Sequence, residues 1–571
     1  MSESMIEFRK EFFADERDDR LNEIGRPTRR QDILGHVTGR SPFYDDHLFQ
    51  GLLHMRCARS PHHAARIRRI DTSEAERSAG VVRVLTDRDV PPNLNTLLSL
   101  LDFGTDDEPV LGTDRVRYQG EPVAAVIAES EAAAREAAAK VRVEWEVLPH
   151  VLDVEEAIRP GAPVVLDIYP GNKFIYHGKN DHQKLRYGDV DAALKGADLV
   201  VEGRYQMSPI EVAPIETCGA IAAPETNDRF VCYTSTQALF FSLATTSKLL
   251  RVPSSRRHFL CGTEGSGFGG KVDSVHEPLA VLGAMVTGRP VKFLWDREEE
   301  MQVGGPRGAE RWYITDGVMR DGRIVARRFI GYFDSGADTR LSSYAIIKAV
   351  GHLRRPYTIP NVYADVYCVF TNRMPATAMR GFGITGVDFA IEAHMDKVAE
   401  AVGMNPIDLR MLNAYRDGDM KAHRCVAKNC ALIECCQVVP EKAGVQHSNS
   451  SRTASSRTGG GGERGRLAAH TALDEKGKVE GVASGSDARK TASGHGRAAD
   501  RREPSRVVPA PRREEPVMPM AALTAPSPAP SPATLPPRPP PQPPAGAPPA
   551  PGVPPRSGPI RFSSLSGFRR H

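Results

Sequence analysis

The sequence predicts a mixed α/β (α+β) fold for residues 25–444, followed by a disordered tail rich in Pro and Arg. Short apolar, β-branched runs that are typical of strands alternate there with segments whose apolar residues recur at helical spacing. After Gly444 this patterning stops, and 22 of the 45 prolines lie between Pro504 and Pro559. Residues 445–571 also hold 19 Lys and Arg against 9 Asp and Glu. Such a segment cannot bury enough apolar surface to offset the entropy of ordering it.

Residues 25–157 form the first predicted domain, an α/β unit. Strands are predicted at Leu52–Ser60, Val81–Thr86, Glu121–Glu129 and Val141–Leu148. Ser130–Lys140, which is rich in Ala and Glu, predicts a helix with Ser130 as its N-cap. Residues 1–24 carry charges throughout and lack the apolar run of a signal peptide, so they are predicted to be flexible.

The second predicted domain covers residues 170–444. Its clearest helices are predicted at Ile384–Val402 and Asn405–Tyr415, the second with Asn405 as N-cap and Pro406 at its first position. Residues 1–444 are mildly acidic, which argues against nucleic-acid binding, and no apolar stretch approaches the ~18 residues of a membrane span. Most cysteines are scattered singly through apolar runs, so we expect a reducing, cytoplasmic location.

The most informative segment is Arg257–Lys271, RHFLCGTEGSGFGGK. A strand-like run, His258–Cys261, leads into five glycines between Gly262 and Gly270, and a helical pattern follows at His276–Gly288. Glycines at this density let a ligand approach the main chain, and a following helix N-terminus favours anions. We therefore predict a ligand-binding loop.

Several interpretations of this loop compete. Gly265–Gly270 satisfies the dinucleotide pattern G-x-G-x-x-G, and Asp296 stands after the next predicted strand, where a ribose-binding acid is expected. An NAD-dependent dehydrogenase is therefore one hypothesis. Gly265–Lys271 also fits the start of a P-loop, but Val272 stands where Ser or Thr must bind Mg²⁺. A structural glycine turn is a further alternative.

Two other segments favour a different interpretation. Tyr233–Gln237 (YTSTQ) ends a strand-like run, and Ala378–Gly383 (AMRGFG) follows the extended segment Asn361–Thr371. Together with GSGFGGK, in this order and at these separations, they resemble the molybdopterin-binding large subunit of the xanthine dehydrogenase/aldehyde oxidase family, the molybdenum hydroxylases. Flanking segments resemble the same family: SPHHAARIRRID, RVRYQGEPVAAVIAES, PIETCGAIAAPE, RPVKFLWDREEE and YTIPNVYADVY. The resemblance extends from about Gly25 to about Gly444.

The resemblance implies a hammerhead-like α/β domain at residues 25–157 and the first, incomplete part of the molybdopterin-binding domains at residues 170–444. It implies a molybdenum–molybdopterin cofactor, in the mononucleotide or the cytosine dinucleotide form, and no side-chain ligand to the metal. No Fe–S cluster is expected in this chain, since no C-x-x-C or ferredoxin-type spacing occurs. The resemblance also implies no FAD in this chain. The implied partners are an FAD-binding medium subunit and a 2Fe–2S small subunit.

The resemblance also implies roles for individual residues. Gln237 matches the glutamine whose amide hydrogen-bonds an oxygen ligand of Mo. Phe268 and Arg380 would also stand around the metal without binding it directly, and Phe382 would line the substrate pocket, with ordinary core packing as the alternative. The implied cofactor-binding residues are Gln237, Gly267, Phe268, Gly269, Gly270, Arg380, Gly381, Phe382 and Gly383.

The implied activity is oxidative hydroxylation of an aldehyde or N-heterocycle with water as the oxygen donor. No catalytic residue is assigned, because no counterpart of the family's glutamate base is found. Purine-oxidising members have Glu at the position of Val272 and Arg at that of Lys348, so a purine is not the expected substrate. Lys348 either orients an anionic or carbonyl-bearing substrate or is an ordinary exposed lysine.

The loss of family-like sequence after Gly444 leads to a prediction of incompleteness. We predict a chain that is truncated or frameshifted there and inactive alone, or one half of a split subunit whose C-terminal half is supplied by another chain. A Pro-rich tail that binds SH3-like domains and a non-catalytic remnant are the alternatives.

Overall fold

The computed structural model describes residues 29–90, 92–421, 424–444 and 507–509 of the 571-residue chain. Strands and helices mix throughout, so the predicted mixed α/β fold is confirmed. The predicted flexible N-terminus and nearly all of the predicted tail lie outside the described residues.

Most strands carry the β-branched and apolar runs seen in the sequence. Those of the N-terminal region are β1 (Leu53–Arg59), β2 (Ala65–Asp71), β3 (Val81–Leu85), β4 (Leu94–Asn95), β5 (Glu108–Pro109), β6 (Arg115–Val116), β7 (Pro122–Ala128) and β8 (Arg142–Val147). Those that follow are β9 (Gln183–Tyr187), β10 (Leu199–Met207), β11 (Gly219–Glu225), β12 (Arg229–Thr234), β13 (Arg257–Leu260), β14 (Val291–Leu294), β15 (Glu310–Val318), β16 (Ile324–Gly336), β17 (Val362–Phe370) and β18 (Val507–Pro509).

The helices include four that the sequence predicts within one or two residues at each end. They are α1 (Ile33–Val37), α2 (Ser73–Glu76), α3 (Glu131–Ala138), α4 (Val154–Ala157), α5 (Val190–Lys195), α6 (Leu239–Leu249), α7 (Glu277–Thr287), α8 (Arg297–Val303), α9 (Ser342–Gly351), α10 (Thr385–Val402), α11 (Pro406–Asn413) and α12 (Leu432–Lys442). The predicted caps are present: Ser130 accepts a hydrogen bond from the N–H of Ala133, and Asn405 accepts one from that of Ile407.

A seven-stranded mixed sheet joins the two halves of the described chain. Its order is β13-β12-β11-β14-β1-β7-β3, and β1 pairs in parallel with β14, so that Leu53 faces Val291. The predicted boundary between residues 157 and 170 therefore does not separate two sheets. Helix α7 packs on β11 and β14 and is buried through its first two turns.

A six-stranded sheet in the order β18-β10-β15-β16-β17-β9 forms the second layer. Helix α10 covers β10 and β15 with Val387, Ile391 and Met395. Three residues of the predicted disordered tail belong to this sheet, because Val507–Pro509 pair antiparallel with the otherwise open edge of β10. The prediction of disorder is thus not met at these residues, where two β-branched valines suit an edge strand.

Candidate functional site

The site begins where two parallel strands end at the same edge of the seven-stranded sheet. β12 and β13 pair in parallel, so the residues that follow them are brought together. Gln237 follows β12, and the glycine loop, residues 262–270, follows β13. The N–H of Gly269 donates to Oε1 of Gln237 at 2.7 Å, and the N–H of Gln237 donates to the carbonyl oxygen of Lys271 at 2.8 Å. Gln237 therefore both accepts a hydrogen bond from the loop and donates one to the residue that follows it.

The third segment, residues 378–383, reaches the same loop from β17. The N–H of Arg380 donates to the carbonyl oxygen of Phe268 at 2.7 Å. A methyl group at Gly269, whose φ is +102°, would lie 2.7 Å from the carbonyl oxygen of Ala378. The two main chains therefore approach too closely for any side chain at Gly269. The structure brings together the three segments that the sequence analysis singled out.

Gly267 and Gly270 also stand where a side chain does not fit. A methyl group at Gly267 would lie 2.5 Å from Cδ of Gln237, and one at Gly270 would lie 2.6 Å from Cγ2 of Val212. The N–H of Gly270 donates to the carbonyl oxygen of Gly267 and closes a tight turn around Phe268. These glycines are required by close packing, which is what a main-chain binding loop needs.

Phe268 is held in an unfavourable backbone conformation at the tip of this turn. Its φ is +50°, a region that costs a residue with a Cβ about 1–2 kcal/mol. Its side chain is 44% exposed, so burial of the ring does not compensate for this cost. Among the described residues, the N–H groups of Gly267 and Phe268 have no acceptor. Strain and free donors together point to a surface prepared for a ligand.

A buried ion pair anchors the loop from below. The side chain of Lys271 is fully buried, and its Nζ lies 2.9 Å from Oε2 of Glu216. The same carboxylate accepts hydrogen bonds from the N–H groups of Gly265 and Tyr44. Sequence analysis gave Glu216 no role, although it stands in the quoted PIETCG segment. Its signal was its position three residues before β11, the strand that pairs with β12.

The Arg380–Gly383 segment folds as a compact turn before α10. Gly381 and Gly383 have φ of +90° and +75°, and a methyl group at Gly383 would lie 2.1 Å from the carbonyl oxygen of Ala345. Arg307, which sequence analysis did not single out, donates from Nη2 to the carbonyl oxygen of Arg380. The guanidinium of Arg380 is exposed and forms no ion pair with a described carboxylate. Its charge is available to a ligand.

Phe382 is half-buried, in keeping with both interpretations offered from the sequence. Its ring lies 6.0 Å from that of Tyr344, beside a small apolar cluster that includes Leu98 and Leu341. Lys348 is exposed, with Nζ 5.3 Å from the centre of the Tyr344 ring. Tyr344 thus connects Lys348 to Phe382.

Three carboxyl groups near the loop are partly or wholly withdrawn from water. Burial, reinforced by the charge of Glu300, raises the pKa of Glu211 to about 7. Burial also raises the pKa of Asp273 to about 6 and raises that of Glu264. Each has one buried oxygen without a hydrogen-bond partner among the described residues. Sequence analysis did not find these groups, since burial of a lone acid has no local signature.

The amide of Gln237 gives a specific test of whether a molybdenum cofactor fits. Its oxygen is occupied by the N–H of Gly269, so its amino group is left as an outward donor. Oxygen ligands of a metal are acceptors, and the free N–H of Phe268 suits them too. No group of three or more His, Cys, Asp or Glu in the described ranges could hold a metal ion directly. The residues present fit a metal that brings its own ligands.

The helix that follows the loop does not complete a dinucleotide site. Six residues separate Gly270 from α7, whose first residue, Glu277, is buried and accepts a hydrogen bond from Thr234. Asp296, the expected ribose-binding acid, caps α8 by accepting from the N–H of Glu299 at 2.8 Å. The N-terminus of α7 therefore holds an acidic side chain of the chain itself, the buried Glu277.

Comparison with known families and proteins agrees with this geometry. A profile described as molybdopterin cofactor-binding domain matches residues 174–414, which include the whole site. A second, described as the a/b hammerhead domain of aldehyde oxidase and xanthine dehydrogenase, matches residues 38–149. No described helix has both the length and the apolar character to cross a membrane.

The chain is also similar to individual proteins over most of its length. The chain is 32% identical over 424 residues to the nicotinate dehydrogenase large molybdopterin subunit of Eubacterium barkeri, covering 74% of this chain and 96% of that protein. It is 31% identical over 417 residues to aldehyde oxidase 1 of Bos taurus, covering 72% of this chain and 30% of that protein.

Two solved structures show the likeness in three dimensions. The aldehyde oxidoreductase from Desulfovibrio gigas superposes with a TM-score of 0.68 at 28% identity, covering 72% of this chain and 46% of that one. Quinoline 2-oxidoreductase from Pseudomonas putida 86 gives 0.68 at 26% identity, covering 74% and 55%. The chain therefore spans about half the length of these solved relatives.

Proposed function

Because this chain belongs to the molybdopterin-binding large subunits of the xanthine dehydrogenase/aldehyde oxidase family, we propose that it forms one wall of a molybdenum hydroxylase active site. The members of this family that resemble it are oxidoreductases. The proposed reaction is oxidative hydroxylation of an aldehyde or an N-heterocycle, with water as the oxygen donor.

The observation that carries the proposal is a pair of hydrogen bonds that main-chain N–H groups donate at the loop. One joins Gly269 to Gln237, and the other joins Arg380 to Phe268. These contacts support a surface on which an amide donor, an aromatic ring and a guanidinium would face the same ligand. Groups fixed in this way need little reorganisation when a ligand binds.

Each of these groups has a proposed task. When bound, the cofactor supplies the two-electron oxidation of the substrate carbon. Gln237 would donate a hydrogen bond to an oxygen of the cofactor without adding charge, and the N–H of Phe268 would do the same. Arg380 would neutralise an anionic group of the cofactor. Phe268 and Phe382 would form apolar walls that keep a planar substrate away from water.

We propose that the remaining wall comes from further polypeptide. The chain spans about half the length of its solved relatives, and Phe268 of the loop is exposed, as are Ile215, whose N–H donates to Ser266 of the loop, and Phe240, which lies three residues after Gln237. A relative named as a large molybdopterin subunit is covered over 96% of its length, which supports a separate complementing chain. The family's glutamate base would lie there.

The proposed assembly contains an FAD-binding medium subunit and a 2Fe–2S small subunit, which would carry electrons away from the site. The cofactor is proposed to be molybdopterin, in the mononucleotide or the cytosine dinucleotide form. The nine cysteines all lie within the described residues and form no disulfide there, which supports the proposed cytoplasmic location.

Metal analysis of the purified full-length chain, co-expressed with its candidate partners, tests the proposal. We expect Mo and pterin absorbance in the wild type. Gln237→Glu keeps an oxygen that can accept from Gly269 but loses the amino donor, so Mo content should fall while the melting temperature changes little. Gln206→Ala, at an exposed glutamine on β10, is the control and should keep its Mo.

Two results would count against the proposal. Tight binding of NAD(H) by a chain that never acquires Mo would favour the nicotinamide-dependent dehydrogenase. Absence of Mo, pterin and partner subunits from every co-expressed preparation of a folded chain would favour a non-catalytic remnant.

A further inference from the structure

A basic cavity of about 480 Å³ lies between the end of α9 and the start of α12. It shares no lining residue with the site described above. The side chains that line it include five basic residues, namely His352, Arg354, Arg355, Lys421 and Lys428, and no carboxylate from the described part of the chain. We call it the Arg354 cavity.

Arg354 is the most unusual of these residues, because it is charged and only 2% exposed. Its guanidinium stacks near Tyr187 and Tyr415, at 4.9 and 5.6 Å from the ring centres, and Nη1 donates to the carbonyl oxygen of Met420. Its Nε has no hydrogen-bond partner, and no described carboxylate lies within ion-pair distance. A buried cation without a paired counter-ion is destabilising, so an anion bound beside Arg354 would stabilise the folded chain.

The nearby acids do not fill this role. Asp419 is close enough for the charge of Arg354 to help lower its pKa, after the larger effect of the N–H of Arg416. Its carboxylate is already hydrogen-bonded to Thr358 and to that N–H. Asp417 accepts from the N–H of Cys430. Neutral donors of the surrounding loops hold Oδ2 of Asp419 and Oδ1 of Asp417, and neither acid forms an ion pair with Arg354 among the described residues.

The start of α12 supplies a second, independent feature. This helix has 11 residues, and its N-cap, Ala431, makes no side-chain capping hydrogen bond. Residues 429–432 line the cavity, so the uncapped end of the helix faces it. The first N–H groups of a helix and its dipole favour an anion at this position. Glu434, the acid of the first turn, is exposed and does not line the cavity.

The other basic residues of the cavity differ in whether a carboxylate already pairs with them. Nε of Arg355 lies 2.8 Å from Oδ1 of Asp388, so its charge is largely matched. Lys421 and Lys428 form no ion pair with a carboxylate in the described ranges. Arg354, two lysines and a helix N-terminus therefore remain for one ligand.

We propose that the Arg354 cavity binds a phosphate-bearing small molecule. Three unmatched cations and a helix N-terminus suit a dianionic phosphate better than a single carboxylate, and guanidinium N–H groups match phosphate oxygens. The phosphate can belong to a free metabolite or to the proposed pterin cofactor. Phosphate binding is inferred from contacts of the Arg354 cavity alone, and only the cofactor as its source rests on the proposed function.

Phosphate binding by the full-length chain, prepared free of Mo, tests the inference. Calorimetry and thermal unfolding would be followed with inorganic phosphate or pyrophosphate at constant ionic strength, with chloride as the reference anion. We expect phosphate to raise the melting temperature where chloride does not. Arg354→Met should weaken phosphate binding roughly tenfold or more, because a charge-assisted hydrogen bond is lost. It should still fold, since it removes an unmatched buried charge.

Control variants distinguish phosphate binding in the Arg354 cavity from nonspecific attraction of phosphate to basic residues. Arg320→Gln, at an exposed arginine outside the cavity, should bind phosphate like the wild type. Lys428→Gln, an exposed change, should weaken binding several-fold and serves if Arg354→Met does not fold. A chain loaded with cofactor that no longer binds added phosphate would identify the cofactor as the source. Equal effects of phosphate and chloride, or unchanged binding in both cavity variants, would overturn the inference.

Discussion

The main-chain N–H of Gly269 donates to the side-chain oxygen of Gln237 at 2.7 Å. Gly269 also packs against the main chain of Ala378, so this one glycine contacts both segments that accompany the loop. The contact orients the amide of Gln237 with its amino group outward. Gly269 therefore couples the conformation of the loop to the orientation of the amino group that Gln237 offers to a ligand.

Gly269→Ala should disturb this coupling. The new methyl group would have an unfavourable φ of +102° and would lie 2.7 Å from the carbonyl oxygen of Ala378. We expect a loss of about 2–4 kcal/mol in the free energy of unfolding, measured by urea denaturation, together with loss of bound Mo.

Gly178→Ala is the matched control. Its φ is +67°, and no atom lies within 4 Å of the added methyl group. It should cost only about 1 kcal/mol, which is the price of the backbone conformation alone. Equal losses at Gly178 and Gly269 would mean that the approach of Ala378 contributes nothing.

The three segments could be singled out because their signals are local. Each carries its own glycine or glutamine motif and follows a short strand-like run. The pairing of Leu53 with Val291 could not be predicted, since a parallel contact between distant segments leaves no local pattern. The role of Lys271 was also hidden, because its partner Glu216 is 55 residues away in the chain.

Lys271→Met should test the anchor beneath the loop. The substitution leaves the carboxylate of Glu216, which is 11% exposed, without its cation. We expect a loss of about 3–5 kcal/mol in the free energy of unfolding, as for other broken buried pairs. The double variant Lys271→Met/Glu216→Gln should recover part of the loss, because no buried charge then remains unmatched. Arg323→Gln, in an exposed pair with Asp321, should have little effect.

The buried His394 should make stability depend on pH. Burial lowers the pKa of His394 from 6.5 to about 4, against the opposing charge of Asp316, and Nδ1 is paired with the hydroxyl of Tyr205 at 2.8 Å. Below pH 6.5 His394 is protonated in the unfolded chain, whereas in the folded chain it stays neutral until about pH 4. This group therefore contributes stability above pH 6.5 that is lost as the pH falls towards 4.

His394→Gln isolates that contribution. The variant keeps a polar partner for Tyr205 but does not titrate. The wild type should lose about 1–2 kcal/mol more stability than the variant between pH 8 and pH 5, as measured by urea denaturation. If the unfolding free energies of the two proteins changed with pH in parallel, the pH dependence would not come from His394.

Glu211 should have the opposite pH dependence, because its pKa is raised from 4.5 to about 7 by burial and by the charge of Glu300. The folded chain holds a proton on Glu211 that the unfolded chain releases near pH 4.5, so this contribution to stability is lost as the pH rises towards 7. Glu211→Gln cannot ionise, and its amide oxygen can still accept from the N–H of Ala213. We expect the variant to exceed the wild type in unfolding free energy by about 1–2 kcal/mol at pH 8, with no difference below pH 4.5. Glu202→Gln, at an exposed acid on β10, should show no such divergence, and a similar divergence there would assign the effect to net charge instead of burial.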